Sequence, residues 1–325
     1  MRSHFEILYH ANKRLIFCII ASVFMLNTLS AQQAPQVSHN IFNHMAINPG
    51  FAGLQGRVEV TGIARQQWQG FRDGENNRVG PESYLLTAHL PVPFLAGGLS
   101  LGVLQDNLGH ESTAGFHLGY AYHLQGLGGK IGLGVQVGFL DKAIDFGALT
   151  PINPNDPLLN QGQGESQIFA DFGLGFFYLD NNQRWAGLSI TQILQARGPN
   201  NAGQLRRHAY LSFGSPFILA GTPDMKIIPS FLLKSDFHSL QFDINATLEY
   251  NNRLWGGVSY RLQDAIVILL GFNIGQFRIG YSYDITTSAI GRSARSHGSH
   301  EIMVRYSFDL VFDRVREVQR NIRFL

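Results

Sequence analysis

Among 325 residues there is a single cysteine, Cys18. It sits inside an apolar run near the amino end with no small residue before it, so it is not placed for a processed lipid anchor. The chain that follows has no thiol for a disulfide framework or a thiolate metal centre. Charge is also scarce: Asp, Glu, Lys and Arg make up 15% of the chain against 45% apolar residues. The formal net charge is +2, and Arg2, Lys13 and Arg14 against Glu6 supply 3 − 1 = +2 of it. The chain beyond residue 31 is therefore close to neutral and offers no general field for nucleic acid. After the amino-terminal run there is no second stretch of about 18 apolar residues, which excludes spanning a bilayer by helices. Walker and dinucleotide motifs are missing: Gly129-Lys130 is followed by Ile131, not by a Ser or Thr that would hold magnesium, and no cofactor is expected.

What the chain has in excess is glycine and aromatics, with 36 Gly, 24 Phe and 11 Tyr, too many for an enzyme core built of Leu and Ala. Lys13 and Arg14, the run LIFCIIASVFML at 15–26 and small residues around Ser30 and Ala31 give the order and polarity of a secretory signal peptide over roughly residues 1–31. Residues 32–55 do not alternate. Pro35, Pro49, Gly50 and Gly53 predict a loop or short-helix segment, periplasmic or folded into a lumen as a plug.

From residue 56 to 310 a period of two takes over. In Gln276–Leu310, Phe277, Ile279, Tyr281, Tyr283 and Ile285 alternate with Arg278, Gly280, Ser282 and Asp284. Ile302, Val304, Tyr306, Phe308 and Leu310 alternate with Met303, Arg305, Ser307 and Asp309. In Lys130–Phe139, Ile131, Leu133, Val135, Val137 and Phe139 face away from Lys130, Gly132, Gly134, Gln136 and Gly138. Strands with one wide apolar face and one face of charge and glycine fit lipid outside and a wet interior. Fourteen such arms can be counted, which predicts an all-β, antiparallel, up-and-down transmembrane barrel of outer-membrane type. Glycine at inward positions would leave room where a plug approaches the wall. Long connections are predicted at 69–82, 105–112, 140–167, 194–207 and 286–301. Short Asn- and Gly-rich turns are predicted at 179–184, 251–253 and 275–276, as the outside-long, inside-short rule requires.

Asn48-Pro49-Gly50-Phe51-Ala52-Gly53, followed by Arg65-Gln66-Gln67-Trp68, resembles the N-P-x-x-A-G and R-x-Q-W signatures of the PorP/SprF family of Bacteroidetes outer-membrane proteins. Gly97–Gly109, Asp171–Tyr178, Tyr281-Ser282-Tyr283-Asp284 and Gly298-Ser299-His300-Glu301-Ile302 look like that family's later blocks in the same order, over about residues 40–310. The family carries Ala or Ser more often than Gly at position 50. The resemblance implies a role in the type IX secretion system: helping export, or holding secreted adhesin-like proteins at the cell surface, in connection with gliding motility. It implies as partners the secreted adhesin or other cargo, further secretion components on the periplasmic side, and outer-membrane lipid.

Gly98-Leu99-Ser100-Leu101-Gly102 matches the G-x-S-x-G elbow, but it lies within one alternating arm and no helix follows, so Ser100 reads as lumen-facing rather than as a nucleophile. A membrane lipase is thereby a distant third reading, and no enzyme is expected. His297, His300 and Glu301 with His110 and Glu111 are loop residues without metal-ligand spacing, and His39 and His44 have less; no metal is expected. The inward charges Arg57, Glu59, Arg65, Lys130, Asp171, Asp243, Glu249, Arg261, Arg278, Asp284 and Arg305 mix both signs, which favours mutual pairing over a selective path. The tail 311–325, with Arg314, Arg316, Arg320 and Arg323, is predicted as a short basic helix in the periplasm. The sequence therefore predicts a non-enzymatic secretion or anchoring component acting through its outer loops, with 140–167 foremost. A diffusion channel or hydrophobic-solute transporter is the alternative.

Overall fold

The computed structural model describes residues 35–74, 76–145, 147, 166–197, 204–292 and 296–310. The expected leader, the tail 311–325 and most of the loop 140–167, with Pro151, Pro154 and Pro157, lie outside the described residues.

Fifteen strands form one antiparallel sheet: β1 (Val58–Gln66), β2 (Glu82–Val92), β3 (Gly97–Leu108), β4 (Glu111–Gly126), β5 (Gly129–Ile144), β6 (Gln167–Asp180), β7 (Trp185–Thr191), β8 (His208–Gly214), β9 (Phe217–Leu219), β10 (Thr222–Ser235), β11 (Leu240–Tyr250), β12 (Leu254–Arg261), β13 (Ala265–Ile274), β14 (Phe277–Thr286) and β15 (Ser299–Phe308). Consecutive wall strands pair with each other, β8 pairs with β10, and β1 pairs with β15 from Val58↔Phe308 to Gln66↔His300. The sheet thus closes into a barrel of fourteen strands, each paired with a neighbour on both sides. The three-residue β9 lies alongside β10 as an extra piece.

The alternation read from the sequence is the inside–outside order of the wall. On β5, Leu133, Val135, Val137 and Phe139 are exposed on the outer surface; on β13, Ile266, Ile268, Leu270, Phe272 and Ile274 are. The buried side holds the charge: Glu59, Arg65, Asp171, Asp243, Glu249, Arg261, Asp284 and Glu301. A wall with its apolar side chains outward is stable only where the outer solvent is hydrocarbon. No helix among the described residues is long and apolar enough to cross a membrane.

Long connections at 67–81, 145–166, 192–207 and 287–298 share one end of the barrel; the last contains the four-residue helix α1 (Ala289–Arg292). The turns 127–128, 181–184, 251–253 and 275–276 lie at the other. The expected loop 105–112 is corrected. β3 and β4 stay paired up to Leu108↔Glu111 and are joined by Gly109-His110 alone. Alternation fades over Gln105-Asp106-Asn107 because polar side chains occupy both faces there, and the hydrogen-bond ladder continues without it.

Residues 38–54 pack against the inward side of this wall. Their apolar side chains fall into two clusters. Ile41 and Phe42 join Ile63, Trp255, Val267, Leu269 and Met303; Met45, Phe51, Ala52 and Leu54 join Ala121, Phe177, Leu179, Trp185 and Ile228. Burying each large side chain of this kind contributes about 1.5–3 kcal/mol before ordering costs.

Candidate functional site

The lumen segment is built from a turn at 38–42 and two short 3-10 turns. Asn43 precedes a single 3-10 turn, His44–Ala46, and Asn48 precedes a second, Pro49–Phe51. The Asn48 side chain accepts from the Gly50 backbone N–H at 2.9 Å, capping that turn, while Pro49 sits at its first position, where a missing N–H costs nothing. The same side chain donates to the backbone carbonyls of Phe176 at 2.9 Å and Leu188 at 3.3 Å, tying the turn to β6 and β7. Ser189 Oγ donates to the Ile47 carbonyl at 2.6 Å, and the His123 ring lies 2.8 Å from the Ala52 carbonyl.

Glycines make this contact possible. A side chain at Gly132 or Gly134 would run into the backbone of Pro49 and Gly50, one at Gly175 into Asn48, and one at Gly98 into Ala52 and Gly53. A Cβ at Gly50 itself would lie 2.8 Å from the Gly132 carbonyl oxygen. The wall and the segment thus meet backbone to backbone. Gly53 closes the turn at φ +69°, a conformation that favours glycine.

Above this seat, towards the long-loop end, lies a chain of buried ion pairs. The Arg65 guanidinium donates to Asp284 Oδ2 at 2.7 Å, Glu301 Oε2 at 3.1 Å and Ser38 Oγ at 2.7 Å. Glu301 also accepts the backbone N–H groups of Ser38 and His39, each at 2.8 Å, and its Oε1 is 2.7 Å from His39 Nδ1. Ser38 Oγ lies within hydrogen-bond distance of both Asp284 carboxylate oxygens, at 2.9 and 2.8 Å. Arg261 continues the chain, 3.3 Å from Asp284 and 3.2 Å from Asp243, and Asn40 donates to Asp243 at 3.3 Å. Arg65, Asp284 and Glu301 are at most 2% exposed. Five strands, β1, β11, β12, β14 and β15, therefore contribute to a clasp closed around Ser38, His39 and Asn40.

The other inward charges pair too: Glu59 with Arg305 and His89, Glu249 with Arg278 and Lys226, and Asp171 with His117. Lys130 instead reaches the Leu54 carbonyl at 3.4 Å, and Arg57 pairs with Asp309 at the exposed short-turn end. Two cavities flank the segment. One is lined by Val37, Met45, Ser100, His117, Asp171 and Tyr210. The other, on the short-turn side, is lined by Phe42, Gln55, Glu59, Arg278 and Arg305.

The residues singled out in the sequence gather in three places. Asn48, Pro49, Ala52 and Gly53 form the seat. Arg65, Asp284 and Glu301 form the clasp. Gln67, Trp68, Tyr281, Tyr283, Gly298 and His300 lie at the long-loop rim. There the Gln67 N–H donates to the Pro81 carbonyl at 2.8 Å, the Trp68 N–H to Ser299 Oγ at 3.1 Å and the Tyr283 hydroxyl to the His297 carbonyl at 2.5 Å. The His300 ring links Tyr281 and Gln69, each at 2.6 Å. Gly298, at φ +106°, leaves room for the Tyr283 hydroxyl. His300 and Glu301 point to opposite sides of the wall and do not form one ligand set. Ser100 faces inward from mid-strand, with Gly119 opposite it and no helix following. Sequence reasoning missed Ser38, His39 and Asn40 as the clasp's other half; the absence of alternation in residues 32–55 was the one available signal.

A closed wall with apolar side chains outward, turns short at one end and long at the other, and a charged, filled interior define an outer-membrane β-barrel. The model of Type IX secretion system membrane protein PorP/SprF matches residues 29–306, and the chain belongs to that family: it is a membrane component of type IX secretion, seated in the outer membrane. No curated protein matches the chain. Among solved structures it is similar to the outer membrane protein Omp33 of Acinetobacter baumannii, at 9% identity over 79% of this chain and 100% of that one, with a TM-score of 0.45. It is also similar to the toluene transporter TbuX of Ralstonia pickettii, at 10% identity over 81% of this chain and 92% of that one, with a TM-score of 0.48.

Proposed function

We propose that the protein supports export or surface retention of secreted adhesin-like proteins, and so gliding, by gripping them from its long loops while its own lumen stays filled. It carries out no chemistry. The barrel is a rigid frame; loops on such a frame are where recognition is usually placed. Further secretion components would meet the short-turn end from the periplasm. The observation that carries this reading is the seat and clasp around residues 38–54: a segment held backbone to backbone on glycine and by buried ion pairs does not suit a pore whose task is continuous flow. That sets it above the channel or hydrophobic-solute transporter reading, as does the pairing of inward charges of both signs.

Crosslinkers placed in loops 67–81 and 287–298 of intact cells test it. The expected product is a covalent adduct with a secreted surface protein, together with loss of that protein from the surface when the barrel is deleted. Adhesin display unchanged in the deletion strain would sink the reading.

A further inference from the structure

The direction of the lumen segment can be read from its partners. Gln36 bonds to Gln241, at the start of β11 beside the turn 236–239, which lies at the same end as the long connections. Ser38 and His39 bond to Arg65, Asp284 and Glu301, close to the ends of β1, β14 and β15 that lead into the long connections 67–81 and 287–298. Asn43 accepts from Thr87, midway along β2. Ala52 and Gly53 reach His123, His89, Leu90 and Pro91, towards the short-turn ends of β4 and β2. Lys130, next to the turn 127–128, reaches Leu54, and β1 starts at Val58 opposite Phe308, the last residue of β15. The net path from Gln36 to Leu54 runs from the long-loop end to the short-turn end, with Phe42 and His44 dipping early towards Arg278 and Trp185 near the short-turn end.

We infer that residues 35–56 thread the barrel from its cell-surface mouth inward, so that Pro35–Val37 lie at the outer mouth among the long loops, while the tether to β1 lies on the periplasmic side. The path follows from the contacts above. The orientation follows from the outer-membrane seat and the rule that long connections of such barrels face outward. Pro35, Gln36 and Val37 are each only partly buried, unlike Ser38–Met45, which are buried throughout. The barrel is thus filled from the side its partner would approach, and Pro35–Val37 belong to the outer surface together with the loops. Nothing in this depends on which protein is gripped.

The test uses the full chain in intact cells, with Cys18 replaced so that each introduced thiol is the only one. Gln36→Cys is compared with Gly74→Cys in the long connection 67–81 and Asn182→Cys in the turn 181–184, all read with a membrane-impermeant maleimide. The expected result is labelling of Gln36→Cys and Gly74→Cys in intact cells, and of Asn182→Cys only after the outer membrane is permeabilised. Should Gln36→Cys fold poorly, a short epitope inserted between Ala34 and Pro35 and read by antibody on intact cells replaces it. Labelling of position 36 only in company with position 182, no labelling of position 36 in either condition, or labelling of position 182 but not 74 in intact cells would each overturn the inference.

Discussion

Replacing Arg65 with Ala removes the cation that Asp284, Glu301 and Ser38 share. Two carboxylates buried to within 2% of full occlusion then lose the guanidinium they share; Asp284 keeps Arg261 at 3.3 Å, and Glu301 keeps His39 and two backbone N–H groups. Breaking a buried pair by deleting one member costs about 3–5 kcal/mol. If that cost falls on the closed state of the segment, its transient release rises by roughly two to three and a half orders of magnitude, at about 1.4 kcal/mol per factor of ten. A thiol on the wall-facing, buried side of the segment itself reports it. Met45→Cys is 8% exposed at its native residue and belongs to the second apolar cluster, so its maleimide labelling in purified, folded barrel measures opening. Arg65→Ala is expected to accelerate labelling by at least a hundredfold, and Arg65→Lys by much less, since it keeps charge but loses the fork that serves three partners. Equal labelling rates in the parent and Arg65→Ala, with heat-modifiable migration showing an intact wall in both, would refute the argument that the clasp holds the segment.

Gly134→Val places a side chain where Pro49 and Gly50 lie and is expected to unseat the segment, raising the Met45→Cys labelling rate. Gly102→Ala, whose added Cβ meets only His117 Cβ at 3.8 Å, should leave it unchanged. Asn48→Ala loses the cap and two bonds to wall carbonyls, and should destabilise the seat by about 1–3 kcal/mol in the same assay. Leu270→Arg puts a cation on the lipid face and should lower barrel stability by about 2–4 kcal/mol in urea unfolding from liposomes if it sits near the midplane, whereas His300→Ala at the exposed rim should change it by less than about 1 kcal/mol.

The wall was legible because its determinant is local: a strand facing lipid on one side and a wet interior on the other must alternate, as Ile131–Phe139 does. The glycine seat was half legible. Gly132 and Gly134 read as places where something comes close, but nothing in the sequence says that it is Pro49 and Gly50. The clasp was hidden for the same reason. Ser38 and Asp284 are 246 positions apart, and only closure of the barrel puts them within 2.9 Å. His300 and Glu301, adjacent in the chain, invited a shared reading that the two-residue period already argued against, because neighbours on a strand face opposite sides.

A barrel whose lumen is kept filled by residues 38–54 should not conduct. Planar-bilayer conductance is compared for the purified protein and a variant lacking residues 35–56. The parent is expected to be electrically silent and the shortened barrel to pass a steady open current; a large, steady current from the parent, equal to that of the deletion, would show that the segment does not fill the lumen.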